Sequence, residues 1–307
     1  MLRISLPLAF LAALLVCVMD IAPAQAQATR TWVSGIGDDA NPCSRTAPCK
    51  TFAGAISKTA ASGAINCLDP GGFGSVTITK SITIDCHQTM GSIVASGTNG
   101  ISIQASGATV ALRGLDFEGT GGGLIGISIL DATAVSIDDI VINQFTQQGI
   151  NDSRTTGGTA LFVRNSTIWN NAGAAIAASA KPPTNAANNV VVENVFAVNN
   201  GYGVAAADNN NVLVSRSVLS GNATAGIAAS ANAQVFVDNS EVTGNGTGLQ
   251  NLGTNAGSLV LGNSGVFFNA TGISGASQSF GNNRIMGNTS PGPTPNLGPT
   301  STEHSEE

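Results

Sequence analysis

The segment Leu115-Asp116-Phe117-Glu118 sets two carboxylates two residues apart. In an extended strand, side chains at i and i+2 leave the same face, so with Leu115 and Phe117 inward both acids point out. Two carboxylates roughly 5–9.5 Å apart are what hydrolysis of a glycosidic bond requires. Asp116 and Glu118 are therefore the candidate catalytic pair; the plainer reading, which we expect, is two solvated acids with near-ordinary pKa values. A second set, Arg113, Asp138, Arg164 and Glu193, recurs at the repeat spacing with alternating sign. It reads as an outward strip, either a surface ion ladder worth about 0–1 kcal/mol per pair or a binding surface. Asp38, Asp39 and Asn41 gather three oxygen-bearing side chains, but calcium wants six to eight oxygens, and an Asx-turn ahead of a helix is expected. His87, with no acid-and-hydroxyl set in sequence reach, is read as a turn histidine.

Composition narrows the classes of partner. The 307 residues carry a net charge of −6 and only 12 Lys+Arg, too few to form a basic stripe that displaces counterions, so nucleic acid is not expected. Charged residues make up 10% of the chain against roughly 25% usually, and glycine is enriched at 38 residues. One Tyr and two Trp leave little for the stacking platforms of a dedicated lectin. Arg3, the apolar run Ile4 to Met19 and Ala24-Gln25-Ala26 have the form of a secretory signal, with cleavage expected after Ala26. No other stretch reaches the ~20 apolar residues of a membrane helix. Cleavage removes Cys17 and leaves Cys43, Cys49, Cys67 and Cys86, four cysteines that admit three disulfide connectivities. If the strands at Ile65 and Ile84 stack, Cys67–Cys86 bridges adjacent rungs and Cys43–Cys49 closes a local loop. There is no CxxC spacing, so we expect neither metal nor cofactor.

These residues sit on a repeat. A glycine–aliphatic pair recurs at Gly100-Ile101, Gly126-Ile127, Gly149-Ile150, Gly203-Val204, Gly226-Ile227, Gly248-Leu249 and Gly272-Ile273, with Ala175-Ile176 filling one gap. Between these pairs lies Val163-Arg164-Asn165-Ser166-Thr167-Ile168-Trp169-Asn170-Asn171, echoed from Val192 to Asn200 and from Val237 to Asn245. Alternating runs such as Gln234-Val235-Phe236-Val237 have strand period, and Asn and Gly between them suit left-handed turns. A coil of some 22–28 residues cannot bury its own inner face, but coils stacked ~4.8 Å apart form one apolar column. Asn171, Asn200, Asn222, Asn245 and Asn269 are then expected to bond along the stack, with Asn165, Asn194, Asn239 and Asn263 doing the same one corner earlier. Sequons at Asn151, Asn165, Asn222, Asn245, Asn269 and Asn288 follow from the repeat; ladder members cannot carry glycan.

On these residues the chain resembles the right-handed parallel β-helix proteins of the pectin-lyase-like family. Its entry segment Trp32 to Pro42, followed by Ala47-Pro48-Cys49-Lys50-Thr51-Phe52, is similar to the cap of many members. The resemblance implies an all-β solenoid with a short N-terminal capping helix, and an activity anywhere among lyases, hydrolases, esterases, adhesins and inert scaffolds. Gly114 to Gly119 also resembles the Asp-Phe loop of pectin methylesterases, without that family's second aspartate and glutamines. The Asn-Thr-Asp plus Gly-His-Gly set of polygalacturonases and the acidic calcium cluster of pectate lyases are absent from the sequence.

The expected organisation is a signal at 1–26, a cap at 27–62, a β-helix at 63–288 and a disordered, Pro-rich acidic tail at 289–307. Pro48 would open a helix running near 49–61 and stopping before Gly63. Loops between strands are short, with Lys181-Pro182-Pro183-Thr184 the one sizeable excursion, leaving no wall for a cleft. We expect an exported, non-catalytic scaffold or binding protein contacting a polysaccharide or another surface protein; the alternative is a divergent carbohydrate-active enzyme using Asp116 and Glu118.

Overall fold

The computed structural model describes residues 27–181 and 186–297. The expected signal at 1–26, the core of the 181–184 excursion and residues 298–307 lie outside the described residues. The chain winds into an all-β right-handed parallel solenoid of about 8 turns. Two of its three faces form one continuous 18-stranded sheet folded along its length, and the third is a separate nine-stranded sheet. On the first face, Thr109–Arg113, Ala134–Asp138, Ala160–Arg164 and Asn189–Glu193 stack in exact register. Continuing round a corner, Leu115–Glu118 and Ile140–Asn143 run onto the second face.

The repeat now has a physical cause. The aliphatic of each glycine pair forms one buried column on the third face, in which Ile101, Ile127, Ile150, Ile176, Val204, Ile227, Leu249 and Ile273 are each 0% exposed. Each such side chain contributes about 1.5–3 kcal/mol by burial. The glycine before it has no room for a side chain: a Cβ on Gly126 would lie 2.5 Å from the Gly149 carbonyl oxygen, and one on Gly248 2.5 Å from that of Gly272.

The corner between the first and second faces is a column of left-handed residues, Gly114, Asp139, Asn165, Asn194, Arg216, Asn239, Asn263 and Asn282. Asn165, Asn194 and Asn263 bond along the stack as expected, but these corner residues, Asn239 among them, do not serve the buried turn. They are exposed and link to one another or to acids, as in Asn194 Nδ2 to Asn165 Oδ1 at 2.8 Å, so the sequon at Asn165 projects outward. The residue after each turns inward instead. The hydroxyls of Ser166, Ser217, Ser240 and Ser264 accept from the amides of Ile140, Val195, Ser217 and Ser240 at 3.1–3.3 Å.

The next corner carries the asparagine ladder as expected. The amides of Asn171, Asn200, Asn222 and Asn245 donate to the Oδ1 of Asn200, Asn222, Asn245 and Asn269 at 2.8–3.1 Å. Each Nδ2 also reaches strand carbonyls, such as Asn222 to Ala197 at 3.1 Å. Asn288 adds a further rung beneath Asn269. At the third corner lies Arg154, which no repeat spacing announces and which is 0% exposed. Its Nε and Nη2 clamp both oxygens of Asp152 at 2.8 and 2.6 Å, and Nη1 donates to Ala132 O at 3.0 Å.

The cap differs in detail from its reading. The helix α1 spans Phe52–Lys58, not 49–61, because Thr51 is its N-cap and accepts from Gly54 N. Pro48 lies before it, and Thr59 turns the chain into the strand Thr59–Cys67, with its hydroxyl 2.8 Å from that of Thr31. Phe52 and Ala55 close the apolar column. Disulfides join Cys43–Cys49 and Cys67–Cys86, with Cα atoms 4.6 and 4.9 Å apart. At the other end the first residues of the expected tail are paired: Ser290 bridges to Thr271, and Asn296–Leu297 pair with Gln278–Ser279.

Asp38, Asp39 and Asn41 are engaged in this cap. Asp39 accepts from Lys50 N, Thr51 N and Thr51 Oγ1 at 2.7–2.9 Å, and Asp38 closes an Asx-turn onto Ala40 N. The Lys58 ammonium sits on the backbone carbonyls of Asp39 and Asn41, a place a cation would otherwise take.

Two outcomes test this account. Asn222→Ala orphans the buried backbone amide of Asn200, at about 1–3 kcal/mol, whereas Asn194→Gly keeps the exposed left-handed corner and changes stability by less than about 1 kcal/mol; urea unfolding measures both. Burial opposes charge on Asp39, but its bonds from Thr51 and Lys50 and the nearby Lys58 outweigh it and hold its carboxyl below the usual range. Its contribution is therefore present above the unfolded value near 3.8 and lost as pH falls through the lowered one. Wild type and Asp39→Asn should converge in melting temperature only in that acid range.

Candidate functional site

The outward column beside the first corner is longer than the four charges picked out in sequence. Register runs Trp32, Asn66, Asp85, Arg113, Asp138, Arg164, Glu193, one residue per coil. At ~4.8 Å per step, this is a strip of about 29 Å. Alternation along each strand puts its neighbours Val33, Ile65, Ile84 and Leu112 in the core, which is why these residues face out.

Arg113, Asp138, Arg164 and Glu193 occupy successive rungs as expected, but they do not form an ion ladder. Among the described residues none of the adjacent pairs closes to an ion pair. Asp138 instead accepts from the corner amide of Asn165 at 2.8 Å, and Glu193 pairs with the Arg216 guanidinium from the next coil's corner. Corner side chains reach the carboxylates more directly than the rung above does. Arg164 Nε is left buried and without a partner.

At the N-terminal end the strip widens into a cleft of about 490 Å³ lined by Arg30, Trp32, Arg45, Asn66, Asp85 and His87 among others. A shallower hollow of about 300 Å³ continues from His87 past Arg113 to Asp138, Asp139 and Asn165. His87 is not a lone turn histidine: Nδ1 lies 2.5 Å from Asp85 Oδ1, with the His87 amide 3.2 Å from the same oxygen. The ring is half exposed, and Asp85 orients it through Nδ1. The backbone of His87 presses on Gly114, where a Cβ would meet it at 2.3 Å; the corner glycine is what lets the histidine sit there. Asn66 donates to Asp85 O at 3.4 Å, and its Oδ1 is buried with no partner. The Asp-x-His spacing was the available signal for this pair; the arginines Arg30 and Arg45 come from the cap, and nothing in their spacing announced them.

Asp116 and Glu118 lie on the other side of the corner, on the second face. They share its outward surface, Asp116 level with Ser92 and Val141, Glu118 with Val94 and Asn143. Asp116 departs from the expectation of a solvated acid with an ordinary pKa. It is half-buried, its Oδ1 has no partner, and burial, then the charge of Glu118, raises its carboxyl above the ordinary value. The groove around His87 and this acid pair are separate surfaces. Among the described residues no group of three or more His, Cys, Asp or Glu converges as a metal site.

A strip of amides, arginines, a carboxylate-oriented imidazole and one indole, laid along a parallel β-solenoid, defines a repeat protein with an elongated polar contact surface. The chain belongs to the right-handed β-helix region family, whose model matches residues 64–237. Among solved structures it is similar to an alginate lyase from Paenibacillus sp., at 14% identity and TM-score 0.53, covering 85% of this chain and 97% of that one. It is also similar to the A-module of mannuronan C-5 epimerase AlgE6 of Azotobacter vinelandii, at 15% identity and TM-score 0.48, covering 74% and 67%. The third, pectate lyase Pel9A, gives 15% identity and TM-score 0.45, covering 81% and 68%. These likenesses are of fold. No curated protein sequence matches the chain.

The raised Asp116 has a thermodynamic signature. Its folded-state value lies above the unfolded one, so its contribution is most favourable at low pH and is lost as pH rises through the folded value. Asp116→Asn is therefore expected to raise the melting temperature at pH 7 and to leave it unchanged at pH 3, read by calorimetry at both.

Proposed function

We propose that this is an exported binding protein that holds an acidic polysaccharide along the strip from Trp32 to Arg113 without cleaving it. The observation that carries the reading is the groove itself: Arg30, Arg45 and Arg113 bracket Asp85–His87. Guanidinium groups match carboxylates bidentately, and the Trp32 face suits an apolar sugar face. Export is supported by two formed disulfides, which persist in oxidising compartments. Among the described residues no helix is long and apolar enough to cross a membrane.

A second reading, a divergent carbohydrate-active enzyme, is favoured by one observation. Asp116 has the raised pKa of a proton donor and a carboxylate neighbour in Glu118 to divide the roles. Against it stands the separation of this pair from the arginine-lined groove, so that the surface suited to hold a uronate is not the one carrying the acid pair.

The test joins binding and turnover. Calorimetric titration with polygalacturonate and alginate should show weak, salt-sensitive binding, lowered about tenfold or more by Arg45→Ala/Arg113→Ala. Product assays on the same polymers, on pectin and on neutral glucans, with and without calcium, should show no turnover. Turnover abolished by Asp116→Asn/Glu118→Gln would replace the first reading with the second. Failure to bind any acidic polymer would remove the first.

A further inference from the structure

The first face carries, beyond the groove, an apolar stripe that its own chain leaves uncovered. Phe162, Val191, Leu213 and Phe236 occupy one outward column on successive coils, and Val260 continues it but is itself buried. Phe162, Leu213 and Phe236 are 40%, 39% and 39% exposed. On one side runs the column Arg164, Glu193, Ser215, Asp238; on the other Ala160, Asn189, Asn211, Gln234. Monomeric surfaces seldom carry such a continuous apolar run.

We propose that this face binds a second copy of the same chain, antiparallel and face to face, about a two-fold axis along the strands between the coils of Glu193 and Ser215. That axis reverses the stack and keeps each column opposite itself. Phe162 of one copy then meets Phe236 of the other, Val191 meets Leu213, Asn189 meets Asn211, and Arg164 meets Asp238. The match is isologous, each pair occurring twice. Charge selects this arrangement. Among the described residues Arg164 makes no ion pair within its own chain, and its Nε is left without a partner. Asp238 accepts one amide on each oxygen, from Asn263 and Asn239 at 3.0 and 2.8 Å, and a carboxylate has about four acceptor positions, so it has capacity for a guanidinium. Turning the copies about the solenoid axis instead would set Arg164 against the neutral Ala160 column.

The six coils from that of Ser136 to that of Val260, at ~4.8 Å each and crossed by about five residues at ~3.3 Å, give roughly 500 Å² of sheet on each copy. The total of about 1,000 Å² is at the lower limit for a specific interface, so the dimer forms reversibly. The paired coils begin after the coil of Arg113, so this inference stands apart from the polysaccharide reading.

Sedimentation equilibrium of the purified protein from about 1 to 200 µM tests it. A concentration-dependent monomer–dimer equilibrium is expected, weakened about tenfold or more by Arg164→Asp and by Asp238→Arg, and restored to within about threefold by the two together. Phe236→Ser, or Leu213→Ser should the former not fold, abolishes it. A monomer throughout, a dimer indifferent to these serine variants, or a double charge exchange that fails to restore association overturns the proposal.

Discussion

A buried corner has to satisfy its backbone without water, and in a solenoid the only partner available is the same corner one coil away. Asparagine meets that constraint because its amide carries a donor and an acceptor at a reach that fits the coil spacing. The Oδ1 of Asn245 thus takes both the backbone amide and the Nδ2 of Asn222, at 2.8 and 2.9 Å, while Nδ2 of Asn222 also returns to Ala197 O. Once this corner is fixed, the strands on either side inherit an identical register from coil to coil. The aliphatic column and the outward columns are consequences of that register.

Much of the fold was legible because this constraint repeats. Gly126, Gly248 and their counterparts recur where no Cβ fits, and Asn171 to Asn269 recur where the corner needs an amide, so both leave a period in the sequence. The Cys67–Cys86 bridge could be read from the same stacking. What could not be read has no period. Arg154 fills the third corner in one coil only. The boundary of α1 depends on Thr51 and on Asp39 reaching it from twelve residues earlier, and the exchange of roles between Asn165 and Ser166 is visible only once the left-handed corner is known.

The polar surface shows the same division. The column from Arg113 to Glu193 was recoverable from the repeat, but its pairing was not, because Asn165 and Arg216 compete for the acids from the corner. The groove depends on Arg30, Trp32 and Arg45, which come from the non-repeating entry segment. Asp116 was found by spacing, while its raised pKa arises from burial that spacing does not encode. In this molecule periodic residues build the support, and the chemically distinctive surface lies where the cap joins it.

The placement of the two disulfides gives the solenoid a direction. Cys43–Cys49 closes a loop within the cap and Cys67–Cys86 staples the opening coils to each other, and among the described residues the later coils carry no covalent tie. Stability in such an array is a chain of nearest-neighbour terms, so its ends open more readily than its middle. Here one end is stapled, and the other finishes in the two-residue strand Asn296–Leu297, with Leu297 exposed. Fraying, proteolytic trimming or a mechanical pull would therefore peel the rod from its C-terminal end, coil by coil, and the groove near the cap would be the last surface to be lost.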